Sequence, residues 1–166
     1  MSELHLSEIT IETLPPMRVA CYRAASPTPE ADSAGYLSEW VAQQDLAGPL
    51  RHFGFDVEVT PEQQAADFRG YEVWMTVPPE VQPAADVTVR DFEGGLYAVT
   101  TIDQPFVAPF ELIPAAWKYL HEWVIASDRY QSGNHQWLEE LISRPGGDDL
   151  KLYHPLMPAP AQPQVD

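Results

Sequence analysis

The chain has 166 residues, of which 45% are hydrophobic and 11% aromatic, so it can bury a core and is not a wholly disordered chain. Its net charge of -16 and pI near 4.4 argue against nucleic acid as a direct partner, because binding to phosphates needs clustered Lys and Arg. The single cysteine, Cys21, excludes an intrachain disulfide. Because no signal pattern or run of about 18 apolar residues is present, we expect a soluble cytoplasmic protein without a membrane contact.

The first half of the sequence predicts a strand, a helix and two more strands. Alternating apolar residues place the strands at residues 17–22, 53–59 and 71–77. Between the first two strands, Asp32 or Ser33 can cap a helix. The apolar residues of this helix recur at helical spacing, at Leu37, Trp40 and Val41.

The second half repeats this order after a proline-rich link at residues 78–83. A strand at 87–92 leads through Gly94-Gly95, which permits a bulge, into a strand at 96–102. A helix follows, with Pro114 in its first turn and its apolar face at Ile113, Ala116, Trp117, Leu120, Trp123 and Val124. The last two predicted strands cover residues 137–142 and 150–154.

This pattern predicts an α+β fold in which a duplicated strand-helix-strand-strand unit forms an antiparallel sheet with two helices on one side. We expect one domain over residues 1–156, with halves at about 9–78 and 86–156, and a disordered proline-rich tail at 157–166. A concave ligand pocket is predicted at the pseudo-twofold seam between the halves.

Two consecutive carboxylates, Glu139 and Glu140, interrupt the apolar strand predicted at residues 137–142. Neighbouring residues of a strand face opposite sides, so one of the two must point towards whatever the strand covers. A buried carboxylate needs a partner or a function. The pair is therefore the first candidate for a functional site.

Motifs for metal, nucleotide, acyl-serine or thiol redox chemistry are absent from the sequence, so no cofactor is predicted. The five histidines lack the spacing of a metal site. His121 is interpreted as part of a solvated helix face, and His135 as a loop residue bonded to backbone rather than a proton relay. The environment of His154 stays open. Cys21, in a predicted strand, is expected to pack as a small hydrophobic residue.

Several segments in order resemble the GyrI-like small-molecule-binding family, which includes the effector-binding domains of Rob and BmrR and of AraC-type regulators. The resemblance covers about residues 9–156, and the segments that carry it are residues 71–78, 94–99, 113–123, 134–140 and 152–156. It implies the same duplicated fold and a stand-alone effector-binding domain. It also implies a pocket for lipophilic and often cationic compounds, with an acid in the strand at 137–142.

By this resemblance, the family's acidic position falls on Glu139, which leaves Glu140 as the solvent-facing neighbour. Tyr153 is expected to face Glu139 across the last hairpin and to hold its carboxylate when no ligand is present. Further pocket walls are proposed at Trp74, Tyr97, Tyr22 and Phe106. Lys151 departs from the family, which often has an acid at this position, and it shares a strand face with Tyr153. A salt bridge from Lys151 to Glu139 would favour neutral or anionic ligands, whereas a snorkelling Lys at a sheet edge would leave the site acidic.

Three functions follow. The first is binding of a lipophilic small molecule, with cations as one class, for sensing or sequestration. The second is hydrolysis of reactive lipophilic electrophiles, with Glu139 as general base and Tyr153 orienting the substrate. The third is an acidic, gyrase-inhibitor-like module that docks on a basic protein surface.

Overall fold

The computed structural model describes residues 3–46 and 50–160. These residues form the elements β1 (Thr10–Leu14), β2 (Met17–Ser26), α1 (Pro29–Ala42), β3 (His52–Val57), α2 (Pro61–Ala65), β4 (Arg69–Thr76), β5 (Thr88–Phe92), β6 (Gly95–Ile102), a 3-10 helix (Pro105–Val107), α3 (Pro109–Ile125), β7 (Tyr130–Ser132), β8 (Leu138–Ile142) and β9 (Asp149–Pro158). The predicted α+β class is confirmed, and the strand-helix-strand-strand order recurs as β2-α1-β3-β4 and β6-α3-β8-β9. No helix in the described ranges is long and apolar enough to cross a membrane.

The chain divides into two compact units that do not coincide with the halves of the sequence. Unit 1 contains residues 1–14, 95–137 and 142–166, and unit 2 contains residues 15–94 and 138–141. The first half thus contributes β1 to unit 1, and the second half contributes β5 and most of β8 to unit 2.

Unit 2 contains an antiparallel sheet in the order β8-β3-β4-β2-β5. One face of this sheet, which we call the helix face, packs against Leu37 and Val41 of α1 through Ala20, Tyr71, Val73 and Met75. Because side chains alternate along a strand, Cys21, Glu72 and Trp74 lie on the opposite face.

Unit 1 contains β6 between β1 and β9, and the end of β9 also pairs with β7. Its core packs α3 against β6 and β9 through Ala116, Leu120 and Val124 on one side and Ala98, Ile102, Leu150, Leu152 and Leu156 on the other. Six residues were predicted to form the apolar face of α3. Three of them, Ala116, Leu120 and Val124, are buried against the sheet, and Ile113 and Trp117 pack there while partly exposed. Trp123 is 36% exposed and is not part of this core.

Several boundaries differ from the predictions. Helix α1 starts at Pro29, not at Asp32 or Ser33, because Pro29 already fits the first helical turn. For the same reason α3 starts at Pro109, which leaves Pro114 inside the helix rather than in its first turn. Gly94 lies between β5 and β6, which pair with different partners, and Gly95 is the first residue of β6, so the two glycines form no bulge within one strand.

The tail also begins later than predicted. Met157 and Pro158 belong to β9 and pair with Gln131 and Tyr130 of β7, because the strand continues past its apolar segment to this edge partner. The rest of the predicted tail from residue 161 lies outside the described residues. The strands β1 and β7 and the short helices were not predicted, since each is only three to five residues long.

Candidate functional site

The two neighbouring glutamates of β8 lie on opposite faces of the unit 2 sheet. Glu139 pairs with Gly54 of β3, which in turn pairs with Val73 of β4, so it lies on the helix face. Glu140 pairs with Phe53, which lies beside Trp74 on the other face. The alternation expected from the sequence is therefore present.

Glu139 is partly buried and accepts a hydrogen bond from the phenol of Tyr71 at 2.9 Å. Tyr71 belongs to β4 and is 8% exposed, and its ring crosses the intervening strand β3 at Gly54 to reach β8. A side chain at position 54 would occupy the space of that ring. Burial, followed by the negative charge of Glu139, raises the pKa of Tyr71 well above its usual value, so the phenol stays a donor.

Tyr71 was not predicted as a site residue. The signal was present in the sequence Phe53-Gly54-Phe55, because a glycine inside a strand often marks the close approach of another group. Identifying that group needed the strand order, since Tyr71 and Glu139 are 68 residues apart.

The prediction that Glu140 faces solvent is wrong, because Glu140 is only 5% exposed. Arg51, immediately before β3, donates to both carboxylate oxygens of Glu140 at 2.7 and 2.8 Å. The same guanidinium lies 4.9 Å from the ring centre of Phe53. A bidentate arginine supplies both the charge and the hydrogen bonds that a buried carboxylate needs, which explains why Glu140 can point inwards.

The two proposed pocket residues of unit 2 lie on different faces of its sheet. Trp74 is fully buried, lies on the face opposite Glu139, and donates its indole N–H to Glu72 at 2.7 Å. Tyr22 lies on the helix face, where its ring stacks on Tyr36 of α1 at 4.1 Å between centres. Of these two, only Tyr22 shares the face of Glu139.

In unit 1 the structure brings Tyr97 and Tyr153 together, with their rings edge to face and 5.5 Å apart. Both are fully buried, and Tyr97 donates its hydroxyl proton to the carbonyl of Gln136 at 2.6 Å. Phe106, in the 3-10 helix, is 49% exposed. Glu139 belongs to unit 2 and Tyr153 to unit 1, so their facing arrangement and the pocket at the seam stay predictions.

Lys151 forms an ion pair with Glu12 of β1, with 3.0 Å between Nζ and Oε1. Its ammonium group also lies 5.2 Å from the ring centre of Tyr153, as expected from their shared strand face. Only 23% of its side chain is exposed. The structure thus gives the cation an acidic partner in unit 1 that the sequence did not identify.

The histidines have different roles. The Nε2 atom of His135 lies 2.8 Å from the carbonyl of Leu96, which confirms the interpretation of a loop residue bonded to backbone. His154, fully buried, directs Nδ1 at the carbonyl of Pro155, and its Nε2 lies 2.9 Å from Nδ1 of His121. Burial lowers the pKa of His154. His121 is exposed, as expected for a solvated helix face, and it also contacts the sheet of unit 1 through His154.

Two further features concern reactivity: the thiol of Cys21 and the side chains that could bind a metal ion. Cys21 is 4% exposed, and burial raises the pKa of its thiol to about 11, so it packs as an inert residue, as predicted. Within the described parts of the chain, no three His, Cys, Asp or Glu side chains are grouped to bind a metal ion.

The chain matches one family model and several solved structures. A family model, Cass2, described as an integron-associated effector binding protein, matches residues 10–156. A search of curated proteins gave no match.

Among solved structures, the C-terminal domain of EcmrR is 14% identical, with a TM-score of 0.69 over 90% of this chain and 97% of that one. In the EcmrR–DNA complex, the chain spans only 57% of the EcmrR chain, at the same TM-score. The integron cassette protein VCH_CASS2, from the mobile metagenome of Vibrio cholerae, is 11% identical, with a TM-score of 0.55 over 94% of this chain and all of that one. SAV2435 bound to tetraphenylphosphonium is also 11% identical, with a TM-score of 0.50 over 91% and 94% of the two chains. At these identities the likeness shows the fold, which is the one expected from the GyrI-like resemblance.

Proposed function

The chain belongs to the Cass2 family of integron-associated effector-binding proteins, and we propose that it binds lipophilic organic cations with Glu139 as the charged anchor. The observation that carries this proposal is the partly buried carboxylate of Glu139, held by the phenol of Tyr71 on the helix face of unit 2. In this proposal the protein senses or sequesters its ligand in the cytoplasm without converting it.

The physical basis is the electrostatics of a partly desolvated acid. A carboxylate that has lost part of its hydration gains more from a cation than an exposed carboxylate does. The Tyr71 phenol donates one hydrogen bond to Glu139 and keeps its own proton, so it orients the carboxylate without cancelling its charge. The net charge of -16 adds a long-range attraction for cations.

The structural likeness to SAV2435, which was solved with tetraphenylphosphonium, supports the choice of ligand class and supplies a probe. Aromatic side chains provide the remaining affinity, since each cation-π contact contributes about 0.5–2 kcal/mol. Among the aromatic residues predicted from the sequence, Tyr22 lies on the same face of the unit 2 sheet as Glu139, and Tyr97, Tyr153 and Phe106 of unit 1 remain sequence-based proposals. Trp74 is less suited, because it lies on the face of the unit 2 sheet opposite Glu139.

The test is calorimetric titration of the protein with tetraphenylphosphonium, comparing Glu139→Gln with Glu39→Gln. Both variants lose one negative charge, but Glu39 is exposed on α1. We expect Glu139→Gln to bind at least about tenfold more weakly, equivalent to ~1.4 kcal/mol, and Glu39→Gln to bind as the wild type does. Equal affinities in all three proteins would exclude Glu139 as the anchor.

The same samples separate binding from hydrolysis. After incubation, mass spectrometry of the added compound should recover it intact at every time point. For a panel of lipophilic electrophiles, a product that forms with the wild type and not with Glu139→Gln would instead support the hydrolase alternative.

A further inference from the structure

On the face of the unit 2 sheet opposite Glu139, two arginines flank one buried glutamate. Glu72 has an 8% exposed side chain, and its Oε1 accepts a hydrogen bond from Nε of Arg23 at 3.1 Å. Its Oε2 accepts the indole N–H of Trp74 at 2.7 Å and lies 4.0 Å from the guanidinium of Arg90. The carboxylate is therefore neutralised by Arg23 and satisfied by Trp74, while Arg90 adds a second positive charge.

Arg90 is held against Trp74, and its contact with Glu72 is a 4.0 Å ion pair rather than a hydrogen bond. Its guanidinium lies 4.9 Å from the ring centre of Trp74, a geometry in which stacking holds the planar group. Trp74 is itself immobilised by the rings of Phe55 and Phe92, each 5.2 Å away. Within the described part of the chain, Arg90 donates no hydrogen bond, and 52% of its side chain is exposed.

No further acidic residue is present among the described strand neighbours of Arg90 on this face. The residues two positions before and after Arg90 in β5 are Thr88 and Phe92, and its partner in β2 is Val19. Asp91 points to the other face and pairs with Arg18. The two guanidiniums and one carboxylate thus carry a local charge of +1 in a chain whose net charge is -16.

We propose that Arg90, together with Arg23, forms a second binding site that recognises the carboxylate group of a small organic acid. A guanidinium fork binds the two oxygens of a carboxylate side by side, and Arg90, with 52% of its side chain exposed, meets Glu72 only at 4.0 Å and donates no hydrogen bond to the described residues. Arg23 directs Nε and Nη2 at Oε1 of Glu72, at 3.1 and 3.0 Å, and 58% of its side chain is exposed, so its Nη1 can add a further donor to the same anion. Because this site and Glu139 occupy opposite faces of one sheet, either can exist without the other.

Sodium benzoate is a suitable probe, with benzamide as its uncharged analogue and phenyl phosphate as a second anion. Binding is followed by NMR through the side-chain Nε–H signal of Arg90 and the indole N–H signal of Trp74. We expect benzoate to shift both signals with a saturable dependence on concentration, and benzamide to leave them unchanged. Tighter binding of phenyl phosphate than of benzoate would overturn the assignment to carboxylates, and a linear shift with no saturation would overturn the site.

Variants test the residues. Arg90→Gln should weaken benzoate binding at least about tenfold, read from the Trp74 signal. The matched control is Arg129→Gln, which removes another arginine that stacks on an aromatic ring, in unit 1, 5.7 Å from the ring centre of Tyr130. The control should leave benzoate affinity unchanged.

If Arg90→Gln does not fold, Arg90→Lys keeps the charge but loses the fork, and it should bind benzoate at least about threefold more weakly. Wild-type affinity in whichever Arg90 variant is measured would overturn the proposal. The affinity for tetraphenylphosphonium should not change in the Arg90 variants. Failure of the carboxylate-site proposal is therefore distinguishable from failure of the Glu139 proposal.

Discussion

The substitution Gly54→Ala tests the connection between Tyr71 and Glu139. A Cβ atom at position 54 would lie 2.2 Å from the phenol oxygen of Tyr71 and 2.4 Å from its nearest ring carbon. Ordinary van der Waals contact begins at 3.4 Å, so the ring must move by roughly 1 Å or leave its position. Tyr71 is buried against the core of unit 2, which leaves the ring little room to move.

The expected loss of stability follows from three contributions. Overpacking of a filled core costs about 1–3 kcal/mol. Loss of the hydrogen bond from Tyr71 to the charged Glu139 costs a further ~1.5–3 kcal/mol. Replacing a glycine restricts the unfolded chain and offsets about 0.5–1 kcal/mol. We therefore expect Gly54→Ala to lower the free energy of unfolding by about 1.5–5.5 kcal/mol.

Urea denaturation of a double-mutant cycle provides the measurement. In a Tyr71→Val background the ring is absent, so Gly54→Ala should cost less than about 1 kcal/mol. Tetraphenylphosphonium affinity, measured on the folded Gly54→Ala protein, should also decrease because Glu139 loses its orienting donor. An equal cost of Gly54→Ala in both backgrounds, or no cost in either, would refute the reasoning.

Three further outcomes are expected. Burial lowers the pKa of both His154 and His52 from 6.5, so these residues bind fewer protons when folded, and stability should be fully present above pH 6.5 and fall as the pH drops below it. Between pH 7.5 and 5.5, the free energy of unfolding measured by urea denaturation should decrease less in His154→Gln than in the wild type. An equal decrease in the two proteins would contradict this. Cys21, with its pKa near 11, should react with a disulfide reagent at pH 7.5 about 100-fold more slowly in the folded protein than in urea, and comparable rates would show that the thiol is accessible. Arg51→Met should lower the free energy of unfolding by ~2–4 kcal/mol, because Glu140 would stay buried without its bidentate partner. A change within about 0.5 kcal/mol, as for an ordinary surface substitution, would show that the pair contributes little.

The predictable part of this fold is the part encoded by local periodicity. The spacing of Ala116, Leu120 and Val124 identified the buried side of α3, and alternation identified most of the strands. Helix starts were less predictable, because two prolines compete near the start of α3. Pro109 takes the first turn, and the sequence rule selected Pro114 instead.

The site was predictable only up to the alternation of Glu139 and Glu140. Which carboxylate is more buried depends on Arg51, which is 89 residues away in sequence and reaches Glu140 through the pairing of β3 with β8. The contact of Tyr71 with Glu139 depends on strand order in the same way, and that of His121 with His154 depends on the packing of α3 on the sheet of unit 1. A single sequence contains no direct record of such pairings.

The exchange of strands between the sequence halves determines when each unit can be completed during synthesis. Residues 15–94 leave the ribosome before residues 138–141, whose strand β8 pairs with β3, so one edge of β3 stays unpaired while α3 is being made. No single truncation or proteolytic cut can release either unit intact, because unit 1 is assembled from three segments of the chain and unit 2 from two. A gene fragment that ends after Gly94 would therefore encode an aggregation-prone intermediate rather than half of a binding protein.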